Sequence, residues 1–221
     1  MIKGLFITGT NTDVGKTYVT ARIIKELNKR YQVAYYKAAL SGIEIVDGKI
    51  ISSDLKYVCD YANLKENSSK VSFIYQQAFS PHLASRYDKN FVDLNVIKKD
   101  LDDLSLNHDI IVVEGSGGII CPLKAEDELI MLSDVMKLTK YPLIIVTSAT
   151  LGSINSAVLT ALYAKSLKLE VLGFIINYFD KDNIIHQDNY KMIEKLSGYK
   201  VLGYLEKNGD DFDVVIPSRS L

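Results

Sequence analysis

The feature that most constrains the fold is an apolar segment leading into a loop that ends in Gly15-Lys16-Thr17. Leu5 to Ile7 is typical of a buried strand, and Tyr18 to Lys29 has the spacing of a helix. A helix that begins after such a strand presents unpaired backbone N–H groups, and its dipole adds positive charge there. The loop is therefore a candidate phosphate-binding loop, in which Gly15 allows close approach, Lys16 reaches the outer phosphates and Thr17 is placed to bind Mg²⁺.

The spacing of this loop departs from the usual pattern G-x-x-x-x-G-K-[ST]. Thr10 occupies the position of the first glycine, and Gly9 lies one residue further back. The loop is therefore a variant with one additional residue. A chance match in an ordinary turn is the alternative, and the flanking strand and helix patterns disfavour it.

Strand and helix patterns alternate along the chain. Continuous apolar runs, typical of parallel strands covered on both faces, occur at Leu5–Ile7, Val33–Tyr36, Ile110–Val113, Leu143–Val146, Val171–Ile176 and Val201–Leu205. Helical patterns occur at Thr17–Lys29, Asp54–Ala62, Leu94–Leu104, Leu132–Lys140, Ile154–Leu167 and Ile184–Leu196. They predict a single α/β domain over residues 1–221, a doubly wound, mainly parallel sheet with helices on both faces, of the phosphate-loop (P-loop) NTPase type. A hairpin is expected around Asp47-Gly48, and Asn63 to Asn90 is the least periodic region.

Composition restricts the possible partners. The chain has 26 Lys and Arg against 27 Asp and Glu, a balance that does not favour a nucleic-acid or polybasic membrane surface. Cys59 and Cys121 have no metal-ligand spacing, which suits a reducing compartment. The sequence shows no signal-peptide pattern or long apolar run, so we expect a soluble, cytoplasmic protein that binds small molecules and neither nucleic acid nor membrane.

Several polar residues occur where apolar runs end, which is where ligands of doubly wound sheets bind. Glu114 follows one run and precedes Gly115 to Gly118, as does the carboxylate that completes the Mg²⁺ site of many phosphate-loop proteins. Lys37 ends another run, where a solvated lysine is an equally good interpretation. Asn177 is suited to contacting a base and equally to a buried turn. Asp54, by spacing alone, is better explained as an acid in the first turn of a helix.

Seven motifs in order resemble the dethiobiotin synthetase family. They are G-T-x-T-x-x-G-K-T at Gly9–Thr17, Lys37 with Ser41-Gly42, Ser53-Asp54, Ser80-Pro81-His82, V-E-G-x-G-G at Val113–Gly118, L-G-x-I-N at Leu151–Asn155, and Asn177. Each motif other than the phosphate loop is weak alone, but the set runs from about residue 2 to residue 205 with compatible spacing.

The resemblance implies an ATP- and Mg²⁺-dependent cyclo-ligase of biotin biosynthesis. In that family 7,8-diaminononanoate takes up CO₂ as a carbamate, and the carbamate oxygen attacks the γ-phosphate of ATP. The second amine then closes the ureido ring to give dethiobiotin, and ADP and phosphate are released. The family also implies a homodimer, because the carboxylate tail of the substrate reaches the neighbouring subunit.

The resemblance further implies a role for each matched residue. The residues implied to bind the nucleotide are Asp13, Val14, Gly15, Lys16, Thr17, Tyr18, Asp54, Glu114, Gly115, Ser116, Gly117 and Asn177. Thr17, Asp54 and Glu114 would hold Mg²⁺, which reverses the structural interpretation of Asp54. Lys16 and Lys37 would neutralise the carbamate and the transferring phosphoryl group. The residues implied to bind the diamine are Thr12 and Ser41 at the amine end and Leu151, Gly152, Ser153, Ile154 and Asn155 of the neighbouring subunit at the carboxylate.

Two other classes share parts of this pattern. Partition and site-selection ATPases have the same predicted fold, but they carry a second signature lysine where this chain has Asn11. A small-molecule kinase or another ligase of the superfamily is the closer rival. The chain also departs from the dethiobiotin synthetase pattern at Ala38, where the family usually has proline. The sequence assigns His82 no chemical role beyond its place in the Ser80-Pro81-His82 motif.

A second departure predicts loose recognition of the base. The family usually has G-x-I-P after the last strand, followed by a segment that packs on the base, whereas this chain has Gly203-Tyr204-Leu205-Glu206 and ends at Leu221. We therefore expect weaker discrimination among nucleoside triphosphates than is usual in the family. Competition of GTP and CTP against ATP in the phosphate-release assay measures this, and strict preference for ATP would contradict it.

Overall fold

The computed structural model describes residues 3–46, 49–51, 53–207, 209 and 213–217. Asp47 and Gly48, where the sequence predicts the tip of a hairpin, lie outside these residues. The strands are β1 Lys3–Gly9, β2 Val33–Ser41, β3 Glu44–Val46, β4 Lys49–Ile51, β5 Ser69–Tyr75, β6 Ile110–Glu114, β7 Pro122–Ala125, β8 Leu129–Met131, β9 Leu143–Ser148, β10 Val171–Phe179, β11 Val201–Glu206 and β12 Asp213–Val214. The helices are α1 Lys16–Leu27, α2 Ser53–Ala62, α3 Pro81–Asp88, α4 Leu94–Ser105, α5 Leu132–Thr139, α6 Ser153–Ser166 and α7 Ile184–Ser197.

A mainly parallel sheet organises the chain, in the strand order β12-β11-β10-β9-β1-β6-β2-β5. Neighbouring strands from β11 to β5 run parallel, and β12 pairs antiparallel with β11. The fold class expected from the sequence is therefore confirmed. Two small antiparallel pairs, β3 with β4 and β7 with β8, lie outside this sheet.

Helices cover both faces of the sheet, which explains the continuous apolar runs. In β6, Ile110 and Val112 face the side on which α1 and α2 pack, whereas Ile111 and Val113 face the side of α4 and α5. All four side chains are buried. A strand in this position has no water-facing residues, so its sequence does not alternate.

The region without clear periodicity, from Asn63 to Asn90, contains β5 and α3. β5 forms the edge of the sheet and pairs only with β2 among the described strands. It is half-buried and carries Ser69, Lys70 and Ser72 among its apolar residues, so it lacks the continuous apolar run of an inner strand. α3 is eight residues long and starts at Pro81, too short for a helical period to stand out.

The register of the central strands brings the predicted site together. Lys37 on β2 is the direct neighbour of Glu114 on β6, and Glu114 is in turn the neighbour of Ile7 on β1. The chain leaves all three strands at the same edge of the sheet. In the described part of the chain, no helix is both long enough and apolar enough to cross a bilayer.

Candidate active site

A cleft of about 1010 Å³ opens at the carboxyl edge of β1, β2 and β6. Its walls come from the β1–α1 loop, the end of β2, the start of α2, the segment before α3 and the loop after β6. The predicted site residues among them are Thr12, Asp13, Gly15, Lys16, Thr17, Tyr18, Lys37, Ser41, Asp54, Glu114, Gly115, Ser116 and Gly117. Most side chains proposed from the sequence therefore surround one cleft.

The phosphate-loop candidate depends on glycine at position 15. Gly15 precedes α1 with φ 82° and ψ 34°, in the left-handed region. Asn177 lies directly behind it and donates from Nδ2 to the carbonyl of Val14 at 3.1 Å. A Cβ on Gly15 would lie 1.9 Å from that Nδ2 atom. Both the backbone conformation and the packing therefore exclude a side chain here.

The side chain of Lys16 folds back along the phosphate-loop candidate. Its Nζ atom donates to the carbonyl of Asn11 at 3.0 Å, and the residue is 7% exposed. Burial lowers the pKa of Lys16, and the nearby Glu114 carboxylate partly offsets the effect. The ammonium group is held at the mouth of α1 by main-chain contacts.

The centre of the cleft is a small cluster of charges around Glu114. Lys37 donates from Nζ to Glu114 Oε1 at 2.8 Å and to Asp54 Oδ2 at 2.6 Å. Thr17 donates from Oγ1 to the same Glu114 Oε1 at 2.8 Å. Burial alone would lower the pKa of Lys37, but the two carboxylates outweigh burial and raise it. Lys37 therefore remains an ammonium group throughout the neutral range.

Sequence reasoning missed Tyr35, which also contacts this cluster. Its hydroxyl donates to Glu114 Oε2 at 3.2 Å, and the side chain is fully buried. Burial, and next the negative charge of Glu114, raise the pKa of Tyr35 well above its usual value. Tyr35 is two residues before Lys37 in a strand, so strand periodicity placed both on one face. Because tyrosine counts as an apolar residue in such patterns, the sequence shows Tyr35 only as part of an apolar run.

The donor set fits a hard divalent cation. Thr17, Asp54 and Glu114 offer one hydroxyl and two carboxylates, all hydrogen-bonded to one another or to Lys37. Oxygen ligands of this kind suit Mg²⁺, which binds through one or two carboxylates together with substrate phosphates.

The loop after β6 and the end of β2 form a further part of the cleft wall. Ser116 donates from Oγ to the carbonyl of Ala39 at 2.6 Å, and Gly117 has φ 61°. Ser41 has a buried hydroxyl without a hydrogen-bond partner among the described residues. Ser41 lines the cleft, so this hydroxyl is a candidate contact for a polar group of a ligand.

Two predicted elements lie wholly or partly outside the cleft. Leu151 to Asn155 forms the turn before α6 and the first residues of that helix, and among the described residues it does not contribute to the cleft of its own protomer. Asn189 fixes this turn by donating from Nδ2 to Ser153 Oγ at 3.2 Å. In the other element, Ser80 and Pro81 line the cleft, whereas His82 does not.

The sheet and the glycine-dependent loop define a protein of the P-loop NTPase class. The family described as "AAA domain" matches residues 3–210. A crystal structure of a ParA family ATPase from Chlorobium tepidum TLS superposes with a TM-score of 0.58, covering 94% of this chain and 84% of that chain. Its sequence identity is 16%, so this likeness shows the fold alone.

Proteins of similar sequence identify the family within the P-loop NTPase class. An ATP-dependent dethiobiotin synthetase from Clostridium botulinum (strain Eklund 17B / Type B) is 46% identical, covering 97% of this chain and 95% of the relative. One from Brachyspira hyodysenteriae (strain ATCC 49526 / WA1) is 45% identical, covering 92% and 91%. The chain belongs to the ATP-dependent dethiobiotin synthetase family. The resemblance inferred from the motifs and the ligase class that it implied are confirmed, and the partition-ATPase alternative is not favoured.

A glycine pair tests the phosphate-loop geometry. Gly15→Ala introduces a clash with Asn177, whereas Gly198→Ala, at φ 77°, has nothing within 4 Å of the added Cβ. Both substitutions carry the left-handed strain of about 1 kcal/mol. We expect Gly15→Ala alone to weaken binding of a non-hydrolysable ATP analogue, by about 10- to 100-fold if the clash costs 1–3 kcal/mol. Titration calorimetry measures this, and equal affinity of the two variants would refute the packing argument.

Proposed function

We propose that this chain catalyses the ATP-dependent carboxylation and ring closure of 7,8-diaminononanoate to dethiobiotin. The observation that carries the proposal is the Lys37 ammonium, held between Asp54 and Glu114 at the mouth of the phosphate-loop candidate. Phosphoryl transfer requires positioning and charge neutralisation more than covalent chemistry from the protein. The cluster supplies both.

The proposed nucleotide site is the loop around the start of α1. Backbone N–H groups of Asp13 to Tyr18 would hold the phosphates, with the helix dipole favouring negative charge. Gly115 to Gly117 would line the other side. Asn177 already uses its Nδ2 atom on Val14, and its buried Oδ1 has no hydrogen-bond partner among the described residues. We assign that oxygen to the base.

Thr17, Asp54 and Glu114 are the proposed ligands of Mg²⁺. The ion would shield the charge of the ATP phosphates and so lower the barrier to attack. Lys37 would hold the carbamate oxygen and, with Lys16, stabilise charge on the transferring phosphoryl group. The two carboxylates raise the pKa of Lys37 and keep it cationic, so its protonation does not limit the reaction at neutral pH.

The amine end of the substrate would contact Thr12 of the phosphate loop and Ser41 at the end of β2, which both line the cleft. The unpartnered Ser41 hydroxyl supports this placement. CO₂ or bicarbonate supplies the carbon of the carbamate.

The carboxylate end would reach Leu151 to Asn155 of a second copy, in a homodimer. Leu159 and Leu162, three residues apart on α6, are 57% and 53% exposed, and Leu151, in the turn before the helix, is 89% exposed. An apolar stripe of this kind on a helix beside the proposed anion site supports an interface there. The N–H groups that open α6 would then face the substrate carboxylate.

Domain organisation and location complete the proposal. The main sheet includes both the first strand, β1, and the last, β12, which supports a single P-loop α/β domain over residues 1–221. A cytoplasmic location is proposed because ATP is the co-substrate and the free cysteines Cys59 and Cys121 suit a reducing compartment.

The decisive test is phosphate release by the purified protein with MgATP and bicarbonate, with and without 7,8-diaminononanoate. We expect release that depends on the diamine, together with a product of the mass of dethiobiotin. Equal release without the diamine, or none at all, would overturn the proposed substrate and favour a switch ATPase or a kinase.

A pair of lysine substitutions tests the charge cluster. Lys37→Ala should lower turnover by at least ~10²-fold, the usual cost of one electrostatic contact in a transition state, while nucleotide affinity changes little. Lys56→Ala removes a surface pair with Asp60 on the same helix as Asp54 and should leave turnover unchanged. Steady-state kinetics and thermal unfolding of both variants provide the comparison. Wild-type turnover in Lys37→Ala would remove Lys37 from the catalytic set.

A further inference from the structure

The two oxygens of the Glu114 carboxylate have different surroundings. Oε1 accepts hydrogen bonds from Thr17 and Lys37, both at 2.8 Å. In the described part of the chain, Oε2 accepts from the Tyr35 hydroxyl, at 3.2 Å. A carboxylate accepts only, so the tyrosine must be the donor. Three donors from two elements, Thr17 on α1 and Tyr35 and Lys37 on β2, therefore fix the plane and the rotation of one buried carboxylate.

Nothing in the packing of the sheet requires a hydroxyl at this place. Tyr35 is 0% exposed and its ring lies among the apolar side chains between the sheet and α1 and α2. Phenylalanine would fill the same volume without burying a polar atom, which costs free energy unless it is hydrogen-bonded. The hydroxyl is therefore explained by its contact with Glu114.

We propose that Tyr35 is a positioning residue for the metal site: its hydroxyl holds Glu114 Oε2 so that Oε1 faces the space beside Thr17 and Asp54. The inference rests on the proposed function, because Glu114 is there a ligand of Mg²⁺. Without the Tyr35 hydroxyl, Oε2 would be left unsatisfied in the interior, and the carboxylate would be held at Oε1 alone. Residues that hydrogen-bond to a metal ligand without contacting the metal typically contribute 10- to 100-fold to metal affinity.

The neighbouring residue provides a matched control. Tyr36 is also 0% exposed and lies on the same strand, but its side chain is in the apolar cluster on the opposite face of the sheet. Its hydroxyl forms a hydrogen bond with Ser72 Oγ at 2.5 Å, and Ser72 donates to Asp100. Tyr35→Phe and Tyr36→Phe are thus the same chemical change at adjacent buried positions, and only one contacts Glu114.

The experiment is a titration of MgCl₂ into the full-length protein with a fluorescent non-hydrolysable ATP analogue. We expect Tyr35→Phe to raise the Mg²⁺ concentration at half-maximal enhancement of nucleotide binding by about 10- to 100-fold. Affinity for the analogue in EDTA should be unchanged, and Tyr36→Phe should titrate as the wild type does. A merely structural role would shift the melting temperature without shifting the Mg²⁺ midpoint.

A double-mutant cycle adds an independent test. In a Glu114→Gln background, Tyr35→Phe should have no further effect on the Mg²⁺ midpoint, because the oriented carboxylate is already absent. The proposal is wrong if Tyr35→Phe titrates as the wild type, if both tyrosine variants shift the midpoint equally, or if the two effects are additive.

The titration is independent of the diamine. If the wild type shows the Mg²⁺ response but no diamine-dependent phosphate release, the proposed substrate fails and the role of Tyr35 stands. If release depends on the diamine and Tyr35→Phe leaves the Mg²⁺ midpoint unchanged, the proposed substrate stands and the role of Tyr35 fails.

Discussion

The structure depends on one costly arrangement, a lysine ammonium buried at the edge of a parallel sheet between two carboxylates. A buried charge without a partner costs several kcal/mol, and removing one member of a buried pair typically costs about 3–5 kcal/mol. Lys37 is 4% exposed and Glu114 is 1% exposed, so neither is solvated by bulk water. The Lys16 ammonium is also close enough to interact with both carboxylates. The hydroxyls of Thr17 and Tyr35 stabilise the Glu114 carboxylate further by donating hydrogen bonds to it.

The backbone of the sheet holds these groups in register. Lys37 and Glu114 are neighbours across β2 and β6, and the N–H of Gly115 donates to the carbonyl of Ile7 at 2.8 Å. The chain then leaves β1 through the phosphate-loop candidate and returns in α1, which delivers Thr17 to the same carboxylate. The hydrogen-bonded ladder therefore fixes distances that flexible loops alone would not maintain. Asp54 comes from α2 and is the more exposed of the two carboxylates, with a side chain that is 33% accessible.

The sequence predicts the inner part of this arrangement well, and the reason is physical. An inner parallel strand is apolar on both faces, so β1, β6 and β9 stand out as continuous runs, and a polar residue at the end of such a run marks the edge where ligands bind. The edge strand β5 lacks that pattern because one of its sides is open. Asp54 has the spacing of an ordinary capping acid, and local sequence carries no information on its distance from Lys37. Tyr35 could not be predicted for a related reason. In an apolar run a tyrosine is explained by its ring, whereas the proposed role of Tyr35 depends on its hydroxyl.

The same fold serves proteins with quite different tasks. The ParA family ATPase shares the sheet at 16% identity, so the fold that supports a nucleotide loop does not define the reaction. In this chain, three polar residues outside the loop also line the cleft: Lys37 and Ser41 on β2, and Asp54 at the start of α2. Asn11 occupies the position at which partition ATPases carry an additional lysine, and its carbonyl instead accepts a hydrogen bond from Lys16. The neighbouring strand and helix thus add a few polar side chains to the cleft beside the phosphate-loop candidate, and under the proposed function these side chains determine the reaction.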